Sequence, residues 1–105
     1  MDYFKIVNWK KYKHYTNRRP PWIKLYNKLL RKYEFVCLHD DSKLLLLLLW
    51  LLASEFDQDD PIIPANDNYL SKQLPIDSEK IKLQPLISAG FIELCEQDDS
   101  KVIAN

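Results

Sequence analysis

Trp9, Tyr12 and Tyr15 recur among Lys10, Lys11, Lys13 and His14 in the opening stretch MDYFKIVNWKKYKHY. Flat rings interleaved with cations suit a single-stranded nucleic acid, whose bases stack on rings while lysines meet phosphates. A simpler reading uses the same residues. Trp9 and Tyr12 anchor an N-terminal arm to the domain, and the lysines are its solvated face. His14 has no carboxylate or second histidine at a pairing distance in sequence and reads as a surface residue. The cations continue through Arg18 and Arg19 in TNRRPP and through Lys24, Lys28, Arg31 and Lys32 in WIKLYNKLLRKY.

This clustering gives a neutral chain two opposite halves. Residues 1–33 carry ten Lys/Arg against one acid, a net of +9, and residues 34–105 carry five lysines against fourteen acids, a net of −9. Such asymmetry fits a nucleic-acid or acidic-partner surface. It fits equally well a basic segment that neutralises the acidic half, within the fold or across a homo-oligomer.

Other chemistries find less support. His39 beside Asp40 and Asp41 has metal-ligating residue types, but the carboxylates are better explained as helix caps. Asp57, Asp59 and Asp60 lack the graded spacing, the glycine and the terminal acid of a calcium loop. Cys37 and Cys95 are far apart in apolar contexts, which predicts two buried thiols in a reducing compartment rather than a disulfide or zinc site. One glycine cannot build a phosphate-binding loop, and two histidines offer no plausible triad for the serines. The expectation is a non-enzymatic protein with no metal and no cofactor.

The elements that must position these residues centre on 44–53, LLLLLLWLLA, ten apolar residues without a polar break or a β-branched side chain. That composition predicts a helix, apolar on all sides and therefore buried on most of its circumference. A bilayer span needs roughly 18–25 such residues, so this run is too short to be one. Asp40, Asp41 or Ser42 would cap it. In residues 22–33, Trp22, Leu25, Tyr26, Leu29, Leu30 and Tyr33 recur at helical spacing, which predicts an amphipathic helix with its cations outward. Phe4, Ile6 and Val7 suggest a short strand, and Ile62 and Ile63 another. Residues 66–74 form a predicted helix capped by Asn66, Asp67 or Asn68. A second follows over 77–89, where Pro85 either kinks it or leaves Gln84 to Ala89 as the continuous part. Gly90, the single glycine, sits where a left-handed residue ends a helix. Residues 91–95 and 101–104 are expected to pair as a hairpin around EQDDS. The lack of an N-terminal apolar run points to a cytoplasmic location.

The resulting order, helix, helix, strand, helix pair and two-stranded wing, is that of an α+β, mainly helical, winged helix-turn-helix domain over 22–105, preceded by a basic aromatic arm over 1–21. The segments FKIVNWKKY, PPWIKLY, SKLLLLLLWLLAS and LISAGFIEL together resemble the N-terminal winged-helix domains of bacteriophage and prophage replication-initiation proteins. The resemblance implies non-catalytic DNA binding in DNA replication, in the cytoplasm of a bacterial or infected host cell. Double-stranded DNA is the expected partner, with single-stranded DNA, a replicative helicase or its loader, and another copy of the chain as further partners. Members of that family continue into a linker and second domain, so an end at Asn105 directly after a strand implies a truncated or minimal form.

Two surfaces are candidates for DNA. In the usual winged-helix mode the second helix of the pair enters the major groove, which nominates Lys72, Lys80, Lys82 and Gln84. That helix also holds Asp77 and Glu79, has no arginine to read guanine, and is followed by Glu96, Asp98 and Asp99 in the wing turn. The second surface is the basic arm and first helix: Lys10, Lys11, Lys13, Arg18, Arg19, Lys24 and Lys28. The alternative function is a protein-protein interaction or oligomerisation module, its acidic wing meeting a basic partner and its basic arm the acidic part of another copy.

Overall fold

The leucine run folds inside a fourteen-residue helix, Asp40–Ala53, and most of it is buried. The structure is a computed structural model that describes residues 2–12, 22–56 and 58–96. Along the chain lie β1 (Tyr3–Ile6), α1 (Tyr33–Val36), α2 (Asp40–Ala53), β2 (Ile63–Pro64), α3 (Asp67–Gln73), α4 (Gln84–Ser88) and β3 (Ile92–Cys95). Short 3-10 helices occupy Trp9–Lys11, Asn27–Arg31 and Ser78–Lys80. This is a mixed α+β domain, mainly helical, with a three-stranded antiparallel sheet.

Leu45, Leu46, Leu49 and Trp50 of α2 have no exposed surface, and Leu52 and Ala53 are also buried. Leu44 and Leu51 lie on the opposite side and are 46% and 47% exposed. The helix thus packs on most of its circumference and leaves one apolar stripe in solvent. Its start differs from expectation. His39 is the N-cap and makes no side-chain capping bond, while Asp40 and Asp41 occupy the first turn. There they face the positive end of the helix dipole, which favours acids without a capping bond. Ser42 is buried instead.

β1 is the central strand, in the order β2-β1-β3. Tyr3 pairs with Pro64 on one side and with Cys95 on the other, and Ile6 pairs with Ile92. Phe4 and Ile6 point into the core while Tyr3 and Lys5 stay half-exposed, the two-residue alternation of a sheet with one covered face. A proline is tolerated in β2 because this is an edge strand. The short strand expected near Ile62 and Ile63 is β2, and it joins the sheet by pairing with β1. Residues 101–104, the expected return arm of the hairpin, lie outside the described residues.

The helix expected over 22–33 is not formed. Residues 22–26 carry no helix, Asn27–Arg31 is 3-10, and α1 is one turn. The supposed inner face is largely outside: Trp22, Leu25, Tyr26, Leu30 and Tyr33 are all exposed, whereas Ile23 and Leu29 pack on the core. A helix this short is marginal without a tertiary surface to bury its apolar stripe. The core is already closed here by β1, Trp9 and α2, and Lys24 N–H donates to Tyr12 C=O at 2.6 Å, holding the chain beside the first segment. Val36 is 50% exposed, while Phe35 and Leu38 are half-buried against the core. Cys37 and Cys95 form no disulfide, but neither thiol is buried as expected: Cys37 is exposed at the end of α1, and Cys95 is half-buried at the end of β3.

The helical pair is set by local signals. Asn66 Oδ1 accepts from Tyr69 N–H at 2.9 Å and starts α3. Asn66→Ala should cost about 1 kcal/mol, read as a lower denaturation midpoint with an unchanged denaturant slope. The second expected helix divides. Ser78–Lys80 is 3-10, Asp77 makes no side-chain cap, and α4 begins at Gln84 with Pro85 in its first turn. Proline fits there because its missing N–H has no intrahelical partner to lose. At the other end Gly90 has φ +84, Gly90 N–H donates to Ile87 C=O and Phe91 N–H to Leu86 C=O. These are the two bonds of a Schellman ending, closed by the buried side chains of Leu86 and Phe91. A Cβ at Gly90 would meet nothing within 4 Å. Gly90→Ala should therefore cost about 1–2 kcal/mol from backbone strain alone, with no repacking of the core. Unchanged stability in a thermal melt would contradict the left-handed assignment.

Candidate nucleic-acid interface

β1 ends where Val7 N–H donates to Phe91 C=O, and the chain then reverses through Asn8 in the left-handed region, φ 58. Asparagine tolerates that conformation better than most residues. The turn launches Trp9–Lys11, which buries Trp9 and leaves Lys10 and Lys11 outside. Tyr12 follows and lies on Trp50 of α2, ring centroids 4.3 Å apart and nearly parallel. Trp9 and Tyr12 thus anchor the first segment to the domain. Trp9 is too buried to offer a face to a base, and Tyr15 lies outside the described residues.

Where the segment 22–32 passes beside Tyr12, a cleft of about 490 Å³ opens. Lys11, Lys28, Arg31 and Lys32 line it, and none of the described residues lining it is acidic. Its remaining wall is apolar and aromatic: Tyr12, Tyr26, Leu25 and Leu29, with buried Trp50 on the core side. Burial, and the charge of Tyr26 beside it, push the Tyr12 phenol pKa above its ordinary value, so Tyr12 stays a neutral hydroxyl at physiological pH. Lys32 is shared with Glu34 at 3.7 Å, an exposed pair. Trp50 Nε1 is buried with no hydrogen-bond partner among the described residues, an uncommon state for an indole N–H. A second, smaller and more polar concavity of about 250 Å³ shares Lys11, Tyr12 and Lys32 with the first.

The residues nominated from sequence are distributed as follows. Lys11 and Lys28 meet at the cleft. Lys10 and Lys24 are exposed and close by in the chain, but they do not line it. Lys13, Arg18 and Arg19 lie outside the described residues. Helical spacing puts Arg31 and Lys32 on the outer side of a helix, outside the nominated residues. The 3-10 geometry of Asn27–Arg31 brings them to the cleft with Lys28. Their signal in sequence was the same basic run.

On the helical pair, Lys72, Lys80, Lys82 and Gln84 are all exposed. They are divided among three pieces: the last turn of α3, the 3-10 helix with its exit, and the start of α4. Lys80 Nζ lies 3.9 Å from Asp41 Oδ1 of α2, and Gln84 Nε2 donates to Ser88 Oγ. Asp77 and Glu79 are exposed beside them. This face is close to neutral, whereas the cleft concentrates one sign of charge. Among the described residues no three His, Cys, Asp or Glu side chains converge as a metal site, and no helix is long and apolar enough to cross a membrane. No family model matches the sequence, and no curated protein or solved structure does.

Proposed function

We propose that this chain is a non-catalytic, DNA-binding domain of winged-helix type, acting in the cytoplasm as part of a phage-type replication-initiation protein. The observation that carries the reading is the cleft where Lys11, Lys28, Arg31 and Lys32 surround aromatic and leucine side chains, with no acid among the described residues that line it. Phosphates supply most of the affinity of nucleic-acid binding, and a one-signed cationic surface is what meets them. The winged-helix part of the reading draws on the succession α3, 3-10 turn, α4 and β3, and on the sheet behind it. It departs from the usual mode in its contact face, which is the N-terminal basic surface rather than the helix carrying Lys80, Lys82 and Gln84. The test is a binding titration against single- and double-stranded DNA over a salt series. Binding that weakens steeply with salt supports the reading, and no binding to either form at about 50 mM salt ends it.

A second reading is favoured by a separate observation. Trp22, Leu25, Leu30, Tyr33, Val36, Leu44, Leu51 and Leu94 are all about half exposed or more. That much open apolar surface suits a partner protein: a helicase, its loader or another copy of the chain. Sedimentation that reports a concentration-dependent mass supports self-association, and a monomer at every concentration counts against it.

A further inference from the structure

The cleft has a property that phosphate binding alone does not explain. Cations on a convex surface are enough to follow a duplex, whose bases are stacked away from the protein and whose phosphates face it. Here the cations rim a concavity, and its wall is built from the rings of Tyr12 and Tyr26 and from Leu25 and Leu29. An apolar recess ringed by positive charge matches a ligand that is flat and apolar at one end and anionic at the other. Its volume, about 490 Å³, falls within the range of small-molecule pockets and is too confined for a base pair with its two backbones. Tyr26 is 44% exposed, so its ring has a face available to a ligand, while Tyr12 is held by its stack on Trp50. Tyr26 thus offers an open ring face, and Tyr12 a ring backed by Trp50.

We propose that the cleft takes one unpaired base of a single DNA strand against Tyr12 and Tyr26, with the flanking phosphates on Lys11, Lys28 and Arg31. The proposal rests on the nucleic-acid reading above and adds the form of DNA, the site and the contact. Stacking tolerates any base, because each presents a π-face, so the site selects strandedness rather than sequence. It gives the domain a preference for opened over closed duplex.

The experiment measures anisotropy of a labelled oligothymidylate, the same strand with abasic sugars in place of its bases, and a hairpin duplex, all at one salt concentration. The intact chain is expected to bind the single strand at least about fivefold more tightly than the abasic strand. Tyr26→Ala should remove that difference, bringing the intact strand down to the affinity of the abasic one, while Tyr26→Phe should restore it. Tyr26 is exposed, and a melt of each variant confirms that the fold is retained. Equal affinity for intact and abasic strands overturns the proposal and leaves the nucleic-acid reading standing, since phosphates alone then account for binding. Absence of binding to all three ligands overturns both. A tryptophan-bearing acidic peptide that binds as tightly as the strand, and is lost with Tyr26→Ala, reassigns the cleft to a protein partner and overturns the proposal.

Discussion

Trp50→Ala is expected to destabilise the domain by about 3–5 kcal/mol, a large share of the roughly 5–15 kcal/mol that holds a domain together. Trp50 has no exposed surface, stacks on Tyr12 at 4.3 Å and meets the edge of Phe91 at 6.4 Å. Its removal therefore loses the burial of the largest side chain with no exposed surface and leaves a cavity beside Tyr12 and Phe91. Leu51, the next residue, is the control. It is 47% exposed on the other side of the same helix, and Leu51→Ala should cost under about 1 kcal/mol. Trp50→Phe isolates a further effect. It deletes the unpartnered Nε1–H, whose burial costs about 1–3 kcal/mol, so relief of that penalty offsets part of the lost volume. Denaturant midpoints at constant slope measure all three. Equal costs for Trp50→Ala and Leu51→Ala would mean that α2 does not face the core as described.

Neutralising the cleft is expected to have the largest effect on binding. With Lys11, Lys28, Arg31 and Lys32 all replaced by glutamine, the slope of log affinity against log salt on a single strand should flatten by about 2.1 from Lys11, Lys28 and Arg31, and by at most about 2.8 if Lys32 also meets a phosphate, at about 0.7 for each cation. The three contacts correspond to about a twentyfold loss between about 50 and 200 mM salt, and four to about fiftyfold. Lys32 contributes least, because Glu34 already shares its charge. The matched control changes Lys72, Lys80 and Lys82 to glutamine. On the present reading it leaves the single-strand slope unaltered. A flatter slope in that control, with none from the cleft variant, would return the contact to the helical pair and the usual major-groove geometry.

What was legible in sequence shares one property: its cause lies within a few residues. The buried helix follows from ten consecutive apolar side chains, which leave no polar face to turn outward. Gly90 ends α4 because the helix needs a left-handed residue there, and Asn66 begins α3 because its oxygen reaches Tyr69 N–H. Pro85 divides the region 77–89 for an equally local reason: α4 starts where a proline can stand in its first turn.

The basic segment shows the opposite case. Helical spacing of Trp22, Leu25, Leu29 and Tyr33 describes a face, but a face becomes a helix only when a surface receives it. Tyr12 and Trp50 had already closed that part of the core. The same nonlocal competition set the sheet, in which Tyr3–Ile6 takes the centre by pairing with residues some sixty and ninety positions away in the chain. Charge clustering in the first third of the chain nominated Lys11 and Lys28 of the cleft's cations and left out Arg31 and Lys32. Only the tertiary structure brings them around a recess, where Lys11, Tyr26, Arg31 and Trp50 line one cleft and Lys24 N–H donates to Tyr12 C=O. Composition and local hydrogen bonding are properties of short stretches and survive any arrangement of the whole. A concave site is a relation between distant stretches and exists only once packing has chosen which of them share the core.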